Sequence, residues 1–312
     1  MRRWGYVGGL AVGLALCGLC SGAAAEPAKA AGKGPSIAQL FSEKWIDGTK
    51  SGEPKVQVQA LDRDTFVVRQ SVLTNFEAPF LYLLFGKDKV LLLDSGASGL
   101  QIRPEIDAII SNWLAAHGRA SIPLVVAHTH AHGDHIAGDH EFKARPDTTV
   151  VGLRPEEVAA FFGIARWPDT IGHYDLGGRA LQIIPTPGHQ SAHIMVYDSR
   201  LRLLLSGDAL YPGRLYVPVN FLAYKRASVA RLQKFVDTHP VDAVLGAHIE
   251  MTAQPGRDYP QEAAQHPDER RLELPATSVA ELNEGLQAAL DVPGKAQVHD
   301  DFIIFPVPPR KN

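Results

Sequence analysis

Residues 124–140 read LVVAHTHAHGDHIAGDH, and this stretch restricts what the chain can fold into more than any other. The apolar run Leu124-Val125-Val126-Ala127 has the length and branching of a buried parallel strand. It ends abruptly in five histidines and two aspartates. His130, His132, Asp134 and His135 fall within six residues, and Gly133 among them permits an unusual backbone turn. Imidazole nitrogens and a carboxylate are the donors a borderline ion such as zinc prefers. On an extended segment His130 and His132, two apart, project from one side. Asp134 and His135, beyond the glycine, can point at a second metal position.

A solvated histidine-rich loop, with one histidine capping the next helix, would look similar in isolation. It does not explain the further potential ligands downstream, each in a turn after an apolar run. His189 comes directly after Thr186-Pro187-Gly188, a tight, rigid mount at a strand end. The apolar run 201–205 delivers Ser206-Gly207-Asp208, and the run 243–245 delivers Gly246-Ala247-His248.

The pattern H-x-H-x-D-H, taken with these downstream residues, resembles the metallo-β-lactamase superfamily of hydrolases from about residue 55 onward. Composition alone supports only a mixed α/β domain; the resemblance implies an α/β fold of the αββα sandwich type, with ligands gathered along one edge. It implies one metal held by His130, His132 and His189, a second held by Asp134, His135 and His248, and Asp208 bridging them. The cofactor expected is therefore two divalent metal ions, zinc foremost. The reaction implied is hydrolysis of a small-molecule substrate, with a metal-bound hydroxide attacking an ester, thioester or lactone carbonyl. Binding to metal lowers the pKa of water to about 7, which makes it a nucleophile near neutrality. Asp134 takes the catalytic role of orienting that hydroxide and moving a proton. Asp94 is expected to support the metal-binding loop through hydrogen bonds, and His128 and His193 to lie beside the ligands. Tyr211 is a candidate oxyanion donor, set against ordinary packing.

Two other activities stay open: hydrolysis of β-lactams, and a mononuclear iron oxygenase of the persulfide type that uses two histidines and the aspartate. Full ligand sets at both positions favour two metals. Glyoxalase II-type enzymes share the seven ligands, but they grip the glutathione carboxylates with basic residues, several from a helical carboxy-terminal extension. Here the predicted helix 277–290 contains no lysine or arginine and carries Glu281 and Glu284. A neutral or modestly polar ester, lactone or thioester is expected over a glutathione conjugate.

The first residues are of another kind. Arg2 and Arg3 precede an apolar stretch over residues 4–19, and Ala23-Ala24-Ala25 offers a cleavage site before Glu26, the layout of a secretory signal peptide. The apolar run is short for a membrane span. Periplasmic or secreted location is expected, with residues 1–25 the signal, 26–50 a linker with a docking helix over 37–45, and 51–312 one catalytic domain. Both cysteines, Cys17 and Cys20, fall in the signal, which leaves no thiolate for metal and no disulfide for the fold. Loss of Arg2 and Arg3 leaves 29 basic residues against 34 acidic, a charge of −5. With no basic patch, nucleic acid is not an expected partner, nor is stable membrane association after cleavage.

Spacing then predicts strands over 56–61, 65–70, 80–85 and 89–93 in antiparallel hairpins. A helix is predicted over 103–117, with Ile106, Ile109, Ile110 and Trp113 on one face. Strands over 180–184 and 193–198, a helix over 227–239 and a last strand over 302–305, closing one sheet, complete the expected frame.

Overall fold

The computed structural model describes residues 40–288 and 294–308. The predicted signal and most of the linker lie outside the described residues. Residues 40–50 contain no helix, so the expected docking helix is absent from the part described. They form an irregular strap instead, because Asp47-Gly48 makes a turn in which Asp47 accepts from the Thr49 backbone at 3.0 Å and Gly48 takes φ +78°. Side chains dock it: Trp45 is buried edge-on against Phe80, with ring centroids 5.0 Å apart, and Gln57 accepts from the Ile46 N–H at 2.7 Å.

Apolar and alternating segments form β1 (Val56–Asp62), β2 (Thr65–Gln70), β3 (Phe80–Phe85) and β4 (Val90–Leu93), each antiparallel to the next. The helix α1 (Arg103–Ala116) then crosses over to β5 (Leu124–Ala127), which lies parallel to β4 as its continuous apolar run predicts. After two single-turn helices, α2 (Gly133–Ile136) and α3 (Asp139–Phe142), β6 (Thr148–Val150) adds in parallel, so the first sheet has its six strands in sequence order. The helix α4 (Pro155–Phe162) leads to β7 (Gly172–Asp175), β8 (Ala180–Pro185), β9 (Ile194–Asp198) and β10 (Leu203–Gly207). Beyond them come β11 (Arg214–Pro218), α5 (Leu222–Val236), β12 (Ala243–Gly246), β13 (Glu273–Leu274), α6 (Thr277–Ala288), β14 (Gln297–Val298) and β15 (Ile303–Val307). The second sheet runs β13-β12-β10-β9-β8-β7.

Each sheet buries both faces. Between them, Phe80, Tyr82, Leu91, Leu93 and Val125 of the first sheet meet Ile183, Ile194, Val196, Leu205 and Leu245 of the second. The outer face of the first sheet, with Leu81, Leu83, Leu92 and Val126, is covered by Ile106, Ile110 and Trp113 of α1. Leu204 and Val244, on the outer face of the second, pack with Leu232 and Phe235 of α5 and Leu282 and Leu286 of α6. Helix, sheet, sheet, helix is the layering this demands, and it is the αββα sandwich. Among the described residues, no helix is long and apolar enough to cross a membrane.

Two further expectations change. The helix expected at 227 starts at Leu222, because Lys225 faces inward and breaks the polar pattern at its start. The last strand does not close either main sheet: β15 pairs in parallel with β11 and antiparallel with β14 in a separate three-stranded sheet.

Candidate metal centre

The ends of strands from both sheets converge at one edge. The residues after β5 run alongside the start of β9, with the Ile194 N–H donating to the Thr129 carbonyl at 2.8 Å, and this sets His130 beside the turn that carries His189. Gly207 lies so close to Thr129 that a Cβ there would fall 2.6 Å from the threonine Cβ, and its φ is +50°. Only glycine fits such a crossing without strain, and Asp208 emerges next to His130 because of it. Phe80 N–H donates to the Ala247 carbonyl at 2.8 Å, which brings His248 against the 71–79 loop of the first sheet.

Two donor groups result, His130, His132, His189 and Asp208 in one and Asp134, His135, Asp208 and His248 in the other. In the first, His132 Nδ1 lies 2.9 Å from His130 Nε2 and 3.0 Å from His189 Nε2, and Asp208 Oδ2 lies 3.7 and 3.5 Å from the latter two. In the second, His135 Nε2 is 3.1 Å from Asp134 Oδ2, 3.3 Å from Asp208 Oδ1 and 3.4 Å from His248 Nε2. His248 Nε2 is 3.3 Å from Asp134 Oδ2 and from Asp208 Oδ1. Donors at zinc-ligand distances in a tetrahedron stand roughly 3.3 Å apart, so both groups have the size of a metal coordination shell. Asp208 turns one oxygen to each, and its buried Oδ1 has no hydrogen-bond partner among the described residues.

The opposite ring nitrogens are anchored, which fixes which nitrogen points inward. His135 Nδ1 lies 2.9 Å from Asp94 Oδ2, His189 Nδ1 2.9 Å from the Tyr216 carbonyl, and His248 Nδ1 2.7 Å from the Glu77 carbonyl. Each carbonyl or carboxylate accepts the Nδ1 proton and leaves Nε2 with its lone pair directed to the cluster. Electrostatics differ between the groups. Burial holds His130 well below the ordinary imidazole range and takes His189 down to about 4, so both are neutral, as ligation requires. At His135 and His248 burial opposes the charge, but Asp208 and Asp134, joined at His135 by Asp94, outweigh it and push both up. At Asp134 and Asp208 burial is likewise overridden, by the neighbouring histidines, and both carboxyls are held low. The second group is thus a pair of buried carboxylates that demands positive charge, from protons or from a cation.

The remaining candidates fall outside these groups. His128 turns away, its Nε2 2.7 Å from Asp139 Oδ1, which also accepts from the Ser95 hydroxyl at 2.8 Å. His193 is fully buried, with Nδ1 2.8 Å from the Thr186 hydroxyl and its ring 5.2 Å from that of His130. Asp94 accepts from Thr129 N–H at 2.7 Å and from the Thr129 hydroxyl at 2.9 Å, besides bonding His135. Tyr211 is packed instead of poised: its ring lies edge-on to His248 and its hydroxyl donates to the Arg214 carbonyl at 2.5 Å. No hydrogen bond or ion pair links α6 to either donor group among the described residues; Glu281 bonds His299 at 2.8 Å and the helix packs on α5 and β15. The carbonyls of Glu77 and Tyr216 escape sequence reasoning, since a backbone oxygen has no residue signature.

A two-sheet sandwich with a histidine–aspartate centre on one edge defines a class. A model of the metallo-beta-lactamase superfamily matches residues 75–248, more than half of the chain, and the chain belongs to that superfamily. The hydroxyacylglutathione hydrolase of Rhizobium meliloti (strain 1021) is 29% identical over 181 residues, which is 54% of this chain and 65%, just under two thirds, of that relative. The acyl-coenzyme A thioesterase MBLAC2 of Homo sapiens is 29% identical over 205 residues, 54% of this chain and 72% of its own length. Among solved structures, TMB-1 superposes with a TM-score of 0.51 at 13% identity, covering 76% of this chain and 100% of that one. At that identity the likeness is one of fold.

Proposed function

We propose that the protein is an exported, metal-dependent hydrolase that cleaves the acyl C–O or C–S bond of an ester, thioester or lactone at a centre of two zinc ions. The observation that carries the proposal is Asp208, which offers one carboxylate oxygen to each of two complete donor groups. Relatives named for hydroxyacylglutathione and acyl-coenzyme A hydrolysis support an activated acyl carbonyl as the target. When bound, the ions acidify water and polarise a carbonyl oxygen. The chain's own part is to hold the seven donors, three of them, His135, His189 and His248, by the anchored tautomers described above. His132 is the exposed member of the two groups and marks the side from which substrate enters. Asp134, ionised and half-buried beside His135 and His248, would accept a hydrogen bond from the attacking water and orient it.

Elemental analysis of gently purified protein, joined to a screen of esters, thioesters, lactones and β-lactams, tests the reading. Two zinc equivalents per chain with turnover of acyl substrates are expected. A single bound iron, or turnover confined to β-lactams, overturns it. Export is tested separately by mass spectrometry of protein from the native host, where an amino terminus at Glu26 is expected and a retained Met1 counts against it.

A further inference from the structure

We propose that Lys225 is a positioning residue of the metal centre, which together with Ser228 clamps the two turns that carry His189 and Asp208. Both residues lie on one face of α5, three positions apart, and each is 1% exposed. Lys225 Nζ donates to the Ala209 carbonyl at 2.7 Å, immediately after Asp208 in the chain. Ser228 Oγ donates to the Pro187 carbonyl at 2.7 Å, two residues before His189. The helix reaches the second turn with its backbone as well, since a Cβ on Gly188 would fall 2.4 Å from Lys225 Cα. One turn of one helix therefore fixes a ligand of the first donor group and the carboxylate shared by both.

A buried lysine is an expensive way to fill space. Removing an ammonium from water is costly unless it is paired, and methionine would occupy the same volume with no charge. Among the described residues Lys225 makes no ion pair, and its one hydrogen bond goes to a neutral carbonyl. What the amine adds is a donor of long reach for a buried carbonyl next to the bridging aspartate. Rotation of that carbonyl would swing Asp208, and misplacement of a reacting or ligating group by about 1 Å can cost on the order of 100-fold in rate.

The inference rests on the two-zinc reading, and the experiment separates the two. Wild type, Lys225→Met and Ser228→Ala are stripped with chelator, and three quantities are read: the urea midpoint of each apoprotein, zinc affinity by competition with a chromophoric chelator, and kcat and KM on an aryl ester after reloading. For Lys225→Met we expect an apoprotein no less stable than wild type, zinc affinity lower by about 10–100-fold, and kcat lower by a similar factor with KM little changed. Ser228→Ala should move zinc affinity in the same direction. A folded Lys225→Met with wild-type affinity and kcat overturns the role, and so does an apo midpoint that falls in step with affinity, which marks a purely structural lysine. If Lys225→Met does not fold, Ser228→Ala decides, and unchanged zinc affinity there overturns the clamp. Wild-type protein that takes up no zinc overturns the metal reading itself.

Discussion

Asp94 touches neither donor group with a ligating atom, yet it decides which nitrogen of His135 faces the second one. Its carboxylate accepts from the Thr129 N–H and hydroxyl and from His135 Nδ1, and all three bonds are buried. The residue itself sits at φ +68°, a left-handed conformation that aspartate tolerates better than most side chains. Replacing Asp94 by Ala frees the His135 ring to rotate or to take the other tautomer. We expect zinc affinity to drop by about 10–100-fold, the usual consequence of losing an outer partner of a ligand. Competition with a chelator checks it, and an Asp94→Ala protein that binds zinc as tightly as wild type removes Asp94 from the account. At this scale the sequence was informative where chemistry sits in side chains. His130, His132, Asp134 and His135 crowd one motif, and His189, Asp208 and His248 each follow a strand, so their convergence could be anticipated. What holds them in place was not legible. Carbonyls of Glu77 and Tyr216 carry no residue identity, and a lone lysine on a helix reads as solvated until the packing shows it buried.

Elements defined by local periodicity matched their expected positions, as β2 and β3 did, while those defined by distant partners did not. β11 is bracketed by Pro212-Gly213 and ends in Pro218, and its partner β15 lies more than eighty residues on, so no nearby turn signals the pairing. The region after His248 reads as polar loop, and irregular it is, but two buried arginines tie it down. Arg214 reaches Asp258 at 2.6 Å, the Tyr259 carbonyl at 2.7 Å and Glu250 at 3.2 Å. Arg69, near the end of β2, meets Glu269 through two hydrogen bonds of 2.5 Å, with the arginine side chain 0% and the glutamate 5% exposed. Arg69 also lies over the Phe80 ring at 5.0 Å, on the strand that the strap residue Trp45 covers. Glu269→Ala would leave a guanidinium buried without its counter-charge. Truncating one partner of such a pair costs about 3–5 kcal/mol, and urea unfolding should show a loss of that order. A loss under about 1 kcal/mol, the range of an exposed pair, would mean that the loop is held by other contacts.

For the molecule as a whole, charge narrows the substrate. The predicted mature chain carries −5, and the acidic side chains near the centre include Glu77, whose carboxyl burial pushes up to about 7 with Asp134, Glu250 and Asp208 adding to the rise and His248 opposing it. Arginines from the loop after His248, the natural hands for a carboxylate, are engaged: Arg270 with Asp301, Arg271 with Glu273 and Arg257 with Gln254; so is Arg214 of β11, with Glu250 and Asp258. Lys225 is buried and spent on a backbone carbonyl. A glutathione conjugate brings two carboxylates, and in this field each would have to displace an existing pair or remain unmatched. Similarity to the Rhizobium meliloti hydroxyacylglutathione hydrolase does not by itself outweigh this, since the match spans 65% of that protein. We therefore expect simple aryl esters and lactones to be turned over with kcat/KM at least comparable to that for a glutathione thioester. The comparison should be made on zinc-loaded protein at low ionic strength, where repulsion acts at longest range. Raising salt should then improve the glutathione substrate more than the neutral ones. If the glutathione thioester is preferred by about a hundredfold or more, equivalent to about 2.7 kcal/mol of transition-state binding, the protein recognises those carboxylates by a route that its paired arginines do not suggest, and the neutral-substrate assignment is wrong.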